Sequence, residues 1–193
     1  MATNNEIEFK QLLDALTYEK IKTTYFEHEE PFSQINYYID TPDFKLRNHK
    51  SALRIRVKNE TYEMTLKVPA KVGLTEYNHM VNLIPEMGAT VSKASLPSDI
   101  KHILDSYGIE ENELNILGVL TTIRMETNYE NELLVLDKSE YFDKTDYELE
   151  FEVQDYDQGL EKFERLLEKF QLKHETPKNK VQRFFDYKSL ISK

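Results

Sequence analysis

The sequence predicts an α+β protein built on an eight-stranded antiparallel β-barrel with flanking helices. Two observations lead to this fold class. Apolar and polar residues alternate with a period of two in many short segments, which is typical of strands with one buried face. Short polar links join consecutive segments, and only a few segments have helical periodicity. About eight strands with few helices favour a closed or nearly closed sheet.

The first half of the chain opens on a strand, because Ile7 and Phe9 alternate there with Glu6, Glu8 and Lys10. A helix is expected next over 18–26, followed by a strand over 34–40 that Pro42 ends. A hairpin follows, in which Asn59-Glu60 joins strands 52–58 and 61–68, and then a strand over 74–82. The last expected element of this half is a helix over 97–107, capped by Ser95 or Ser98 and ended by Gly108.

The second half repeats this style, with strands expected over 119–128, 132–136 and 147–154. Asp157 then begins an amphipathic helix, because Leu160, Phe163 and Leu167 share one side of it. Residues 173–181 are ambiguous, and the tail to Lys193 is expected to be helical. No low-complexity linker divides the chain, so residues 1–193 are expected to form a single domain.

Composition excludes several classes of protein. With 25 Lys and Arg against 35 Asp and Glu, the net charge is −10, which disfavours long nucleic acid and anionic lipid. The five glycines are nowhere two residues apart, so neither a dinucleotide fingerprint nor a P-loop is present. The chain has no cysteine, its first ten residues do not resemble a signal peptide, and no apolar run approaches the roughly 20 residues of a membrane span. A cytoplasmic protein is therefore expected.

The polar faces of the expected strands are sorted by the sign of their charge. Arg54 and Arg56 share one face of a strand, whereas Glu148, Glu150 and Glu152 form an all-acidic face on another. Ordinary solvated faces are one explanation, but such faces usually mix signs because like charges in a row repel one another. The other explanation is a water-filled barrel interior that holds both cations and anions.

A charged interior of this kind suits a polyphosphate and a divalent metal. Mg²⁺ and Mn²⁺ prefer carboxylate oxygens, and substrate phosphates commonly complete their coordination shell. Phosphate oxygens in turn bind guanidinium and ammonium groups. Phosphoryl transfer depends mainly on such positioning and charge neutralisation. An interior with a row of glutamates on one strand and a row of arginines on another would supply both.

The order of motifs resembles that of the CYTH superfamily, the triphosphate tunnel metalloenzymes. Residues 6–10 (EIEFK) match its ExExK signature, and residues 37–56 (YYIDTPDFKLRNHKSALRIR) resemble its YxDT…ALRIR block. Residues 64–69 (MTLKVP), 134–142 (LVLDKSEYF) and 147–152 (YELEFE) continue the pattern. The resemblance covers nearly the whole chain.

The resemblance implies a tunnel that binds a triphosphate and a divalent metal, Mg²⁺ or Mn²⁺. It implies catalytic roles for Glu8, Lys10 and Arg56. The metal ligands that it implies are Glu6, Glu8, Glu148, Glu150 and Glu152. The phosphate-binding residues are Lys10, Arg54, Arg56, Lys67, Arg124, Lys180 and Arg183. Glu76 and Asp137 would line the tunnel.

Known activities of the family leave the reaction open. The leading hypothesis is metal-dependent hydrolysis of inorganic triphosphate or a small organic triphosphate. The alternatives are a class IV adenylyl cyclase, a non-catalytic nucleotide- or polyphosphate-binding module, and a structural barrel whose charges face solvent. The expected partner is a small triphosphate and neither long nucleic acid nor a membrane, with a homodimer left as an option. His79 either faces the tunnel or is an ordinary strand histidine, and Phe184-Phe185 either closes the barrel or meets a second subunit.

Overall fold

A computed structural model describes residues 2–193, and within them nine strands and five helices form the fold. The strands are β1 (Ala2–Leu13), β2 (Phe32–Asp40), β3 (Ala52–Lys58), β4 (Thr61–Pro69), β5 (Leu74–Met80), β6 (Thr90–Ser92), β7 (Glu113–Tyr129), β8 (Glu132–Tyr141) and β9 (Lys144–Val153). The helices are α1 (Ala15–Tyr25), α2 (Lys45–Asn48), α3 (Ser98–Ser106), α4 (Tyr156–Glu168) and α5 (Lys180–Ile191), and a short 3-10 turn covers Lys93–Ser95. None of these helices has the length and apolar composition needed to cross a bilayer.

The strands follow the order β2-β3-β4-β5-β1-β9-β8-β7-β6, and β2 also pairs with β7. The pairing of β2 with β7 closes eight of them into an antiparallel barrel, and β6 adds three residues to β7. The expected fold class is therefore confirmed.

Two tight turns set the register of the hairpins. Asn59 and Glu60 both have positive φ, at 48° and 59°, and so do Glu130 and Asn131 between β7 and β8. Positive φ at both central residues is the type I′ geometry, whose twist matches that of paired strands. The β3–β4 hairpin accordingly forms at the position expected from the sequence, with Lys58 opposite Thr61.

Helix ends are fixed by local hydrogen bonds. The side chains of Asp14 and Asp155 accept the amides of Thr17 and Gln158, which caps α1 and α4. Gly108 ends α3 with a φ of 71°, as expected. The expected serine cap of α3 is wrong, because its N-cap is Pro97 and makes no side-chain cap bond. Ser95 instead donates to the Ser92 carbonyl.

The chain groups into two units with separate apolar cores. The first unit comprises residues 2–5, 35–120 and 181–193, and the second comprises residues 6–34 and 121–180. In the first unit, α3 packs through Ile100 and Leu104 on the outer face of β3 and β4. In the second, α1 and α4 pack through Ile21 and Phe163 on Phe9, Leu149 and Phe151 of β1 and β9. Each core covers one face of its strands, and the charged side chains lie on the other.

Candidate functional site

Strand register brings the expected acidic residues of the second unit together on one face. Glu8 lies directly opposite Glu152, and Lys10 lies opposite Glu150. Glu148 follows on the same face of β9 and lies opposite Asp137 of β8, which in turn lies opposite Arg124 of β7. Because directly opposed residues of an antiparallel pair point the same way, four neighbouring strands present one charged wall.

The centre of this wall is a buried carboxylate cluster, defined as Asp137, Glu148 and Glu150, which are 0, 1 and 4% exposed. Two cations hold it together. Arg124 binds Asp137 in a bidentate pair, with Nε 2.7 Å from Oδ1 and Nη2 2.6 Å from Oδ2, and Nη2 also lies 3.0 Å from Glu150 Oε2. Lys180 Nζ lies 2.7 Å from Asp137 Oδ2 and 3.0 Å from Glu148 Oε1, and also contacts Glu150 Oε1.

Burial and these contacts shift the ionisation of the group. Burial alone would raise the pKa of Glu150, but Lys180, Lys10 and Arg124 hold it well below its usual range. Burial opposes the charge on Lys180 too, yet the three carboxylates raise its pKa above the ordinary lysine value. Glu148 differs because its burial outweighs Lys180 and raises its pKa. The cluster therefore keeps fixed charges in a site screened from water, where charge acts most strongly.

Lys10 and Glu8 lie at the edge of the cluster. Lys10 Nζ is 2.9 Å from Glu8 Oε1 and 3.9 Å from Glu150 Oε1. Burial opposes the charge of Lys10, but Glu8 and Glu150 raise its pKa. Glu6 is half-buried two residues before Glu8, whereas Glu152 is exposed.

In the first unit, the expected phosphate-binding residues share the polar face of β3 and β4. Arg54 lies opposite Thr65, and Lys67 follows two residues after Thr65. Arg56 Nε donates to Asn36 Oδ1 at 2.9 Å, and Lys67 Nζ lies 3.0 Å from Glu76 Oε1. Arg183, the last expected member, is half-buried on α5.

The Arg54 guanidinium has one buried hydrogen-bond donor, Nε, that is unpaired among the described residues. Among the described residues, Arg54 Nε has no hydrogen-bond partner although it is shielded from solvent. Leaving a buried donor of a charged group unpaired is costly, so such an atom indicates that an acceptor belongs beside it. A phosphate oxygen is the acceptor that a guanidinium fork fits well.

Sequence reasoning missed the neutral polar residues of this face. Asn36 is buried and orients Arg56, and Thr65 donates to Asn78 Oδ1 at 2.7 Å. Asn36 falls in the Gln34–Tyr38 alternation of β2, so its face could have been read from the sequence, but its partner depends on strand register.

Packing shows where His79 and the Phe184-Phe185 pair lie, two points that the sequence left open. His79 lies opposite the buried Met64 and places Nε2 2.8 Å from Asp99 Oδ1 of α3, so it belongs to the outer face of β5. Phe184 and Phe185 are buried within the first unit, where their rings contact Tyr38 and Phe44.

The donor set fits a divalent metal that binds together with a phosphate ligand. Within residues 2–193, no three His, Asp or Glu side chains form a metal cage. Glu8 and Glu152, however, lie directly opposite one another and offer two carboxylates at one position of the β1–β9 pair, beside Lys10, which lies 2.9 Å from Glu8. Mg²⁺ and Mn²⁺ typically take only one or two carboxylates and complete their shell with phosphates.

The ion pair between Lys67 and Glu76 leads to a testable pH dependence. Burial alone would raise the pKa of Glu76, but Lys67 and Arg54 lower it below the value of the unfolded chain. Glu76 therefore contributes stability that is present above its unfolded pKa, near 4.5, and is lost as pH falls through the folded pKa. We expect Glu76→Gln to flatten the acid limb of the unfolding free energy, measured by urea denaturation between pH 7 and 3.

The control for this experiment is Glu19→Gln, which removes an exposed carboxylate on α1. It is expected to retain the slope of the unchanged protein. An acid limb that is equally steep in Glu76→Gln would contradict the stabilising role of the Lys67–Glu76 pair.

Comparison with known proteins gives consistent matches over almost the whole chain. The sequence profile of the CYTH domain matches residues 4–185. The Bacillus subtilis protein named "Putative triphosphatase YjbK" is 37% identical over 190 residues, which cover 97% of this chain and 98% of that protein.

Solved structures show the same fold. A "putative adenylate cyclase" from Bacillus halodurans is 32% identical with a TM-score of 0.83, covering 96% of this chain and 100% of that one. The Hippeastrum protein HpAC1, described as a "putative adenylyl cyclase" with a dominant triphosphatase activity, is 22% identical with a TM-score of 0.74, covering 94% of this chain and 95% of that one.

Proposed function

Since the chain belongs to the CYTH domain family, we propose that it is a divalent-metal-dependent triphosphatase that hydrolyses inorganic triphosphate or a small organic triphosphate. The family is one of metal-dependent enzymes. The observation that carries the proposal is the buried and unpartnered Nε of Arg54, on the same face as Arg56 and Lys67. Three cations with an unfilled donor among them call for a ligand with several anionic oxygens.

Each residue then has a role that follows from its surroundings. Arg54, Arg56 and Lys67 bind phosphate oxygens, and Asn36 fixes the direction of the Arg56 fork. We further propose that Arg183 supplies a cation from α5.

In the second unit, Arg124 and Lys180 keep their charge and position because the carboxylate cluster holds them. Lys10, held between Glu8 and Glu150, neutralises charge on the reacting phosphate as it develops.

The expected metal ligands separate into two groups. Glu148 and Glu150 contact Lys180, whereas Glu8 and Glu152 lie opposite each other on β1 and β9 with Glu6 on the same face. We assign Mg²⁺ or Mn²⁺ to the Glu8–Glu152 pair, with Glu6 next to it on β1, together with phosphate oxygens. The ion would withdraw charge from the phosphate oxygens and so favour attack by water.

The chain's relatives and composition support the remaining assignments. The family match runs without interruption through residues 4–185, which supports a single domain. The absence of cysteine supports a cytoplasmic location, and the net charge of −10 supports a small substrate rather than long nucleic acid.

The experiment is phosphate release from tripolyphosphate during titration with Mg²⁺ and Mn²⁺. We expect activity to require the metal and to disappear with EDTA. Glu8→Gln is expected to lower kcat by about 100-fold or more, because it removes a carboxylate of the metal-binding pair. The melting temperature should change little, since glutamine keeps the size of the side chain and an oxygen that can accept from Lys10, which also has Glu150 3.9 Å away.

Glu19→Gln serves as the control and is expected to retain full activity. Equal phosphate release in EDTA would contradict the proposal. Adenylyl cyclase is the second candidate, because the Bacillus halodurans relative carries that description. Incubation with ATP distinguishes the two, since a cyclase yields cyclic AMP and pyrophosphate whereas a triphosphatase releases orthophosphate.

A further inference from the structure

Gln11 is a buried polar residue that the proposed chemistry does not use. It follows Lys10 on β1 and therefore points to the opposite, apolar face of the strand. The residue is only 8% exposed and lies between Phe9 and Leu13, two members of the second unit's core, on that face of β1. A buried amide in such surroundings persists only when its hydrogen bonds are made, so its partners indicate its purpose.

Two of those partners lie in the segment between α4 and α5, residues 169–179, which we call the strap. The third is on β1 itself, where Gln11 Nε2 donates to the Leu12 carbonyl at 3.4 Å. Gln11 Oε1 accepts the backbone amide of Glu175 at 2.9 Å and lies 3.3 Å from His174 Nδ1. The His174 ring is also packed edge-on against Phe9 and Phe163. The middle of the strap is therefore tied to β1 by both a hydrogen bond and aromatic contacts.

The strap leads directly to Lys180. Lys180 is the fifth residue after Glu175, so the tie keeps the Lys180 backbone within about 17 Å of the Glu175 backbone. Without the Gln11–Glu175 hydrogen bond, the preceding contact with the core is the His174 ring, from which six residues could reach about 20 Å. Lys180 is the cation that contacts all three members of the carboxylate cluster.

We propose that Gln11 is a positioning residue that ties the strap to β1 and thereby fixes Lys180 in the carboxylate cluster. β1 then acts on Glu150 from both of its faces, since Lys10 approaches Glu150 directly and Gln11 holds the strap that delivers Lys180. The catalytic consequence rests on the proposed triphosphatase function, whereas the tie itself is independent of it.

The test is Gln11→Leu, which keeps the size of the side chain but removes the acceptor. Hydrogen–deuterium exchange of the Glu175 amide should rise, because its acceptor is gone. Acetylation of Lys180, followed by mass spectrometry, should become severalfold faster, while acetylation of Lys162 on α4 should not change. The kcat/KM for tripolyphosphate should fall about tenfold, since small displacements of a positioned charge are expensive in phosphoryl transfer.

Two further variants separate positioning from general destabilisation. Gln11→Glu retains an oxygen of the same reach and should restore the protection of Glu175, the slow acetylation of Lys180 and most of the activity. Ile21→Val removes a buried methyl from the same core and should cost about 1 kcal/mol without affecting the acetylation of Lys180.

Faster exchange at Glu175 with unchanged acetylation of Lys180 would overturn the proposal, as would equal losses of activity in Gln11→Leu and Ile21→Val. If the unchanged protein hydrolyses no triphosphate, the proposed function fails, and the exchange and acetylation measurements still decide the role of Gln11.

Discussion

Lys180→Met is expected to lower the free energy of unfolding by roughly 3–5 kcal/mol, the largest effect on stability that any single substitution in the site should have. Lys180 lies between three buried carboxylates, with Nζ 2.7 Å from Asp137 Oδ2 and 3.0 Å from Glu148 Oε1. Methionine fills nearly the same volume but carries no charge. The loss of stability therefore measures uncompensated negative charge rather than a cavity.

Lys180→Met does not remove the same contacts from all three carboxylates. Asp137 and Glu150 keep their contacts with Arg124, whereas Glu148 loses the ammonium 3.0 Å away. We therefore expect the double variant Lys180→Met/Glu148→Gln to be more stable than Lys180→Met alone. This recovery distinguishes an electrostatic effect from a general disruption of the strap.

Urea denaturation at pH 7 measures both variants, with constant m-values as evidence that the compared states are the same. Lys162→Met is the matched control, because Lys162 is more exposed and its Nζ lies 3.5 Å from Glu132. It should cost no more than about 1 kcal/mol. A Lys180→Met variant as stable as this control would contradict the view that Lys180 balances the carboxylate cluster.

Local patterns were sufficient to predict much of the barrel but not its shortest elements. The β3–β4 hairpin was located by alternation and by Asn59, which tolerates positive φ. β6 has three residues and α2 has four, too few for any periodicity. The hydrogen bonds that shape α2 come instead from Asp40, whose carboxylate accepts the amides of Thr41, Leu46 and Arg47.

The candidate site shows the same limit. A period of two was enough to place Glu148, Glu150 and Glu152 on one face, but it could not show that Glu148 is buried and Glu152 exposed. The partners of Arg124 depend on the register of β7, β8 and β9, and those of Lys180 depend on the path of the strap. Both are tertiary features that a single strand's sequence does not encode.

Arg54→Met is expected to lower kcat/KM for tripolyphosphate by about 100-fold while leaving the free energy of unfolding within about 1 kcal/mol of the original value. Most charged residues in buried sites stabilise the fold through their partners. Arg54 differs because its buried Nε has no hydrogen-bond partner among the described residues. Removing the guanidinium therefore also removes the cost of burying that unpaired donor. That gain offsets the loss of its attraction to Glu76.

The assay pairs kinetics with thermal unfolding at increasing tripolyphosphate concentrations. A ligand that binds the folded state raises the melting temperature by mass action, and this shift should shrink strongly in Arg54→Met. Arg54→Lys should fall between the two proteins, because an ammonium keeps the charge but cannot form the planar fork. Arg165→Met, on the exposed side of α4, should behave like the unchanged protein. A protein destabilised by more than about 2 kcal/mol with unaltered phosphate release would show instead that Arg54 supports the fold.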